Sequence, residues 1–130
     1  MSESEAASIY ERIGGAETID RVVESFYRQM SLLPQAQTIR AMHGDGLLHM
    51  KTVLKKYLSE ETGGPVLYSQ EKGHPDMRER HVSFPIDNYA ADVWMECMDL
   101  GLEENVADLD ARAQLSEKIR KLAELMRNTR

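Results

Sequence analysis

The stretch Arg80-His81-Val82-Ser83-Phe84-Pro85-Ile86 places an imidazole at the end of a very short helix. Pro75 suits a helix start, where its missing N–H needs no partner, and Pro85 cannot continue a helix. Between them lie at most about two and a half turns, at roughly 3.6 residues per turn. Met77 and His81 share one face of that helix, with Arg78, Glu79 and Arg80 around them. So short and charged a helix adds little to a core. It does hold a histidine stiffly, and neutral imidazole is the commonest metal-ligating side chain. The plain alternative is a cation set favourably at the C-terminus of a helix dipole.

His43, His49 and His74 form no H-x-x-x-H or H-E-x-x-H spacing with His81 or with one another. The single cysteine, Cys97, excludes a Cys-rich zinc site and an internal disulfide, and no redox role is assigned to it. A carboxylate bundle holding only metal ions needs Glu-x-x-His pairs on facing helices. Only His74 follows a glutamate in that way, Glu71, and it does so in a segment that reads as loop. One strong histidine without partners suits a metal that brings its other ligands with it. Haem is that case, because the porphyrin supplies four nitrogens and the protein one histidine.

The elements that must position His81 read as helices. Ser8 can cap a helix over 9–13, which Gly14-Gly15 ends. Residues 16–32 carry Ile19, Val22, Val23, Phe26, Tyr27 and Met30 at helical spacing, and Pro34 stops them. A short helix over 35–42 leads to a turn at His43-Gly44-Asp45-Gly46. A helix over 47–60 places Leu47, Met50, Leu54, Tyr57 and Leu58 on one face, with Val53 beside them. Thr62-Gly63-Gly64-Pro65 breaks it, and 63–74 reads as an ordered loop containing Tyr68. Asp87 caps a helix of about 16 residues whose inward face is Ala90, Val93, Trp94, Cys97 and Gly101. Glu103 to Asp108 reads as a linker before a last helix over 109–127, with Leu115, Ile119, Leu122, Ala123 and Met126 inward. Alternating strand patterns are missing, so the expected class is all-α. Residues 1–8 are expected as a flexible tail and 9–130 as one domain.

The chain has 130 residues, 42% of them hydrophobic, which is enough for one modest core. Its net charge of −6 speaks against nucleic acid, and no apolar run approaches the roughly 20 residues of a membrane span. The acidic start, Met1-Ser2-Glu3-Ser4-Glu5, lacks the pattern of a signal peptide, so a cytoplasmic protein is expected. Eight methionines are many; they fill an irregular core or line a pocket for a flat apolar ligand. Tyr27 and Trp94 lie mid-stripe, and a buried phenol or indole needs a partner for its O–H or N–H. Together they point to a pocket with a small polar occupant.

At this point the chain resembles a known family. Gly63-Gly64-Pro65, Leu67-Tyr68-Ser69, Gly73-His74-Pro75, Arg78, Arg80-His81 and Phe84-Pro85-Ile86 agree in order and spacing with the group II truncated haemoglobins. So do Trp94-Met95-Glu96-Cys97-Met98, Gly14-Gly15 and Phe26-Tyr27, and the match extends over about residues 9–127. The resemblance implies a two-over-two helical sandwich around one haem b, with His81 as proximal iron ligand. Tyr27 and Trp94 would donate to bound O₂ on the distal side, near Phe26, and His43 falls where the family places a distal polar residue. Met50 and Leu54 would line the distal wall. Phe84 and Met77 would contact the haem, and Arg80 and Tyr68 would meet a propionate.

The function this implies is reversible binding of O₂, NO, CO or similar diatomics, with NO removal or peroxidase-like turnover as redox uses. No flavin or nicotinamide motif is present, so turnover needs an external reductase. A monomer or homodimer is expected. Lys55-Lys56 and Glu60-Glu61 stand where apolar or aromatic residues are expected, and Val53 where a basic residue often reaches a propionate. The haem is then held less tightly, or through Lys56 or Arg80. His49 is read as solvent-facing, with iron ligation at rest by His43, His49 or Tyr27 as the alternative. From another class, the rival is a haem-free helical interaction or sensor module, whose fold would survive His81→Ala.

Overall fold

The computed structural model describes residues 7–43, 46–72 and 87–126. The expected helix around His81, with Arg80, Met77 and Phe84, lies outside the described residues. The Ser8 hydroxyl caps α1 (Ile9–Ile13) by accepting from the Glu11 N–H at 3.1 Å. Gly14, at φ 109°, ends α1 in a left-handed conformation, and a Cβ there would meet the Thr18 hydroxyl. The chain turns at once into α2 (Gly15–Leu32), whose residues Ile19, Val22, Val23, Phe26, Tyr27 and Met30 are all buried.

A 3₁₀ turn at Pro34–Ala36 leads into α3 (Gln37–Met42), and then come α4 (Leu47–Glu61) and α5 (Leu67–Lys72). Asp87 caps α6 (Asn88–Asn105), its carboxylate accepting from the Ala90 N–H at 2.8 Å, and α7 (Leu109–Met126) follows. Helices α2 and α4 form one pair, α6 and α7 the other, and the pairs meet where α2 lies against α6. This is the expected two-over-two, all-α arrangement, with no strand among the described residues. No helix among them is long and apolar enough to cross a membrane.

Two boundaries differ from the sequence reading. The segment 63–74 is not all loop, because Leu67–Lys72 forms α5. It shows no amphipathic stripe because it is one and a half turns long, with Leu67 exposed and Tyr68 buried at 1%. What holds it is Glu60 on α4, whose carboxylate accepts from the Ser69 amide at 2.9 Å and from the Ser69 hydroxyl at 2.5 Å. The unpaired first-turn N–H groups of a helix are where such an acceptor acts. Glu60→Ala is expected to cost about 1 kcal/mol and to speed exchange of the Ser69 amide roughly tenfold, as read by hydrogen exchange.

The linker expected over 103–108 is shorter. Helix α6 runs on to Asn105 because Leu102 is buried at 1% and the Asn105 side chain donates back to the Gly101 carbonyl at 2.8 Å.

Ion pairs tie the ends together. Arg12 holds Asp108 and Asp110 at 3.1 and 2.8 Å, Arg28 holds Glu104 at 2.6 Å, and Lys51 and Lys55 hold Glu24 at 2.8 and 3.0 Å. The Lys51 ammonium keeps Glu24 below the usual carboxylate value, the Ser25 hydroxyl does so for Glu104, and the Ala111 N–H, then Arg12, for Asp108. Carboxylates held low in the folded state contribute stability that is complete above their ordinary values. That stability is lost as pH falls through the lowered ones. The melting temperature is therefore expected to fall as pH drops below the ordinary values of 4.5 and 3.8, and Glu24→Gln is expected to flatten that fall.

Candidate functional site

The inward face of α2 and the middle of α6 converge on four rings. Phe26 is fully buried, with its ring edge-to-face on Tyr27 at 4.7 Å and on Trp94 at 5.1 Å. Tyr27 in turn meets His43 edge-to-face at 5.6 Å. The expected distal residues thus form one run of rings, Trp94 of α6, Phe26 and Tyr27 of α2, and His43 at the end of α3. Met42, Leu47, Met50, Val53 and Leu54 pack against this core while staying partly exposed. On α4 the same apolar stripe is closed further along, where Tyr57 and Leu58 are buried. Its N-terminal half is therefore an apolar wall with accessible surface.

The polar groups in this wall are informative. Tyr27 is 3% exposed, yet its hydroxyl makes no hydrogen bond among the described residues. No sealed side-chain oxygen or nitrogen among those residues lacks a partner, so the tip of Tyr27 opens onto accessible space. Burial pushes its phenol well above the ordinary value, so it stays a protonated donor at neutral pH. The Trp94 indole is half-buried, its N–H likewise without a partner among the described residues.

His43 is ordered by its backbone neighbour. Its Nδ1 lies 2.8 Å from the Ile39 carbonyl. A carbonyl only accepts, so Nδ1 is the donor in this contact. His49 is exposed on α4, as expected of a solvent-facing residue.

The residues that depart from the family pattern have partners of their own. Lys55 is bound to Asp20 and Glu24 at 3.3 and 3.0 Å, which fastens α4 to α2. Glu60 holds α5, and burial, then the Glu61 carboxylate, pushes the Tyr57 phenol above its ordinary value. Tyr68 is sealed in the core with its ring on Tyr57 at 5.5 Å. Cys97 is fully buried, and burial, then Glu96, pushes its thiol up to about 11, which suits a packing role. No cluster of three or more metal-ligating side chains occurs among the described residues.

Two contributions were not visible in the sequence: the Glu60 latch on α5, and the close approach of α6 to α2 at Gly101, where a Cβ would stand 3.0 Å from the Val22 carbonyl oxygen. Both act between elements, and periodicity carries no signal for them.

Comparison with known proteins agrees with this arrangement. The bacterial-like globin family matches residues 8–128. The group 2 truncated haemoglobin YjbI of Bacillus subtilis (strain 168) is 34% identical over 115 residues, covering 84% of each chain. Among solved structures, the group II 2-on-2 haemoglobin of the plant pathogen Agrobacterium tumefaciens superposes with a TM-score of 0.93 at 32% identity, over 99% of this chain and 100% of that one. The truncated oxygen-avid haemoglobin of Bacillus subtilis does so with a TM-score of 0.83 at 32% identity, over 94% and 100%. The chain belongs to the bacterial-like globin family, and within it to the group II truncated haemoglobins.

Proposed function

We propose that this single-domain globin binds haem b and uses it to take up O₂ and related diatomic gases, with Tyr27 and Trp94 as the distal hydrogen-bond donors. The observation that carries the reading is the Tyr27 hydroxyl, whose ring is buried while its tip opens onto accessible space, unpartnered among the described residues, beside an apolar wall on α4. A phenol held by a buried ring with its O–H directed at accessible space beside apolar surface fits an occupant that accepts a hydrogen bond. When bound, haem supplies an iron that takes one diatomic molecule and leaves partial negative charge on it.

The chain's own part is positioning. Tyr27 and Trp94 offer two neutral donors to a partly negative acceptor, in surroundings poor in competing water. The Nδ1–H of His43 is committed to the Ile39 carbonyl, so the donors this reading assigns to the ligand are Tyr27 and Trp94. Met50 and Leu54 supply apolar contact for the macrocycle from the distal side. The sequence correspondence to the family is what supports His81 as iron ligand, Phe84 and Met77 as haem contacts and Arg80 as a propionate partner. Tyr68 would reach a propionate only through its hydroxyl, since its ring is sealed. The fitting redox uses are removal of NO by bound O₂ and peroxidase-like turnover, each needing an external reductant. A cytoplasmic site of action fits such a cycle.

The test is an absorption spectrum of the protein with haem, oxidised, reduced and reduced under CO. An intense Soret band that moves under CO, and that His81→Ala weakens, is expected. A protein that takes up no haem would instead favour the haem-free interaction module.

A further inference from the structure

Phe26 occupies a position between the two donors that its neighbours leave no room to vary. Adjacent residues on a helix ordinarily diverge. Here the Phe26 and Tyr27 rings nevertheless meet at 4.7 Å with 67° between their planes. On its other side the Phe26 ring meets Trp94 at 5.1 Å and 68°. Both are edge-to-face contacts, the orientation that the ring quadrupoles favour.

The backbone of Phe26 is held as tightly. A Cβ at Gly101 would stand 3.0 Å from the Val22 carbonyl oxygen and 3.3 Å from the Phe26 nitrogen. So α6 touches α2 main chain to main chain at Gly101, and ring to ring at Trp94 two turns earlier.

We propose that Phe26 is a positioning residue that sets the separation between the Tyr27 hydroxyl and the Trp94 indole N–H, so that one small polarised ligand meets both donors at once. The proposal rests on the reading of Tyr27 and Trp94 as ligand donors. Two donors share one ligand only within a tolerance of about 0.5 Å, which a ring wedged between them can hold. Leucine keeps most of the apolar volume but has no flat face or polar edge to orient its neighbours. With it, both rings regain rotation and the two donors no longer act together.

Trp94 is the single tryptophan, so fluorescence excited at the red edge, beyond the absorption of the five tyrosines, reports this site alone. In the full-length haem-free chain, with helix content verified by circular dichroism, Phe26→Leu is expected to lower Trp94 anisotropy and to raise acrylamide quenching about twofold. Leu115→Ala, a core truncation on α7, is expected to leave both unchanged. In the haem-loaded protein, Phe26→Leu is expected to speed O₂ release roughly fivefold, and less than about twofold once Tyr27→Phe and Trp94→Phe are already present.

Unchanged Trp94 fluorescence overturns the proposal. So does a Phe26→Leu effect on release that persists without either donor, because that is the mark of a merely structural residue. Should Phe26→Leu fail to fold, Gly101→Ala, which pushes α2 off α6, must produce the same fluorescence change. If the wild-type chain takes up no haem, the gas-pocket reading fails, while the fluorescence measurements still decide whether Phe26 orders Trp94.

Discussion

Tyr27→Phe is expected to speed O₂ release about tenfold to a hundredfold while leaving the stability of the protein almost unchanged. The two side chains have the same ring, so the contacts with Phe26 at 4.7 Å and His43 at 5.6 Å survive. What is lost is one O–H. That hydroxyl serves no partner among the described residues, so its removal strands no acceptor there. A hydrogen bond to a charged acceptor contributes about 1.5–3 kcal/mol, and every 1.4 kcal/mol or so is a factor of ten in rate. Because burial raises the phenol above its ordinary value, the donor persists across the neutral range, and the effect is expected to be flat with pH there. Stopped-flow displacement of O₂ by CO measures it. An unchanged off-rate would mean that Tyr27 does not touch the ligand.

Gly101→Val is expected to lower stability by about 3 kcal/mol or more, and the melting temperature by roughly 10 °C. A glycine inside a helix normally costs about 1 kcal/mol relative to alanine, so a simple propensity argument predicts a gain from replacing it. The crossing with α2 reverses the sign. The atoms a side chain would meet are the Val22 carbonyl oxygen at 3.0 Å and the Phe26 nitrogen at 3.3 Å, and backbone cannot swing aside as a side-chain tip can. Valine adds two further methyl groups, so α2 must move away from α6. The movement also displaces Phe26 and Tyr27, so faster O₂ release is expected to accompany the lower melting temperature. Thermal unfolding followed by circular dichroism checks the first effect. A melting temperature within about 2 °C of wild type would show that the crossing has more room than the backbone distances allow.

The long helices were legible because their apolar residues recur with the helical period. Ile19, Val22, Val23, Phe26, Tyr27 and Met30 on α2 are all buried, as their spacing demands. Ser8, Gly14 and Asp87 were legible as caps because one residue type answers one local need, an acceptor for free N–H groups or a left-handed turn. Helix α5 was not legible. Its six residues are held from outside by the Glu60 carboxylate, nine positions back from Ser69. The end of α6 was misplaced for the same kind of reason, since Glu103 and Glu104 look like linker. Glu104 is instead held by Ser25, Arg28 and Gln29 of α2.

By itself, the sequence determined the helical class, the positions of the main caps, the family, and the identity of Tyr27, Trp94 and His43 as residues to watch. These are local or pattern properties, carried by neighbours within a turn or by motifs read in order. Only the tertiary structure decided that Phe26 stands between the two donors, that Gly101 lets α2 and α6 meet at backbone distance, and that His43 donates to Ile39 through Nδ1. Each depends on how one helix approaches another or on which carbonyl lies within reach. Side-chain periodicity tells which face turns inward, not what that face meets there.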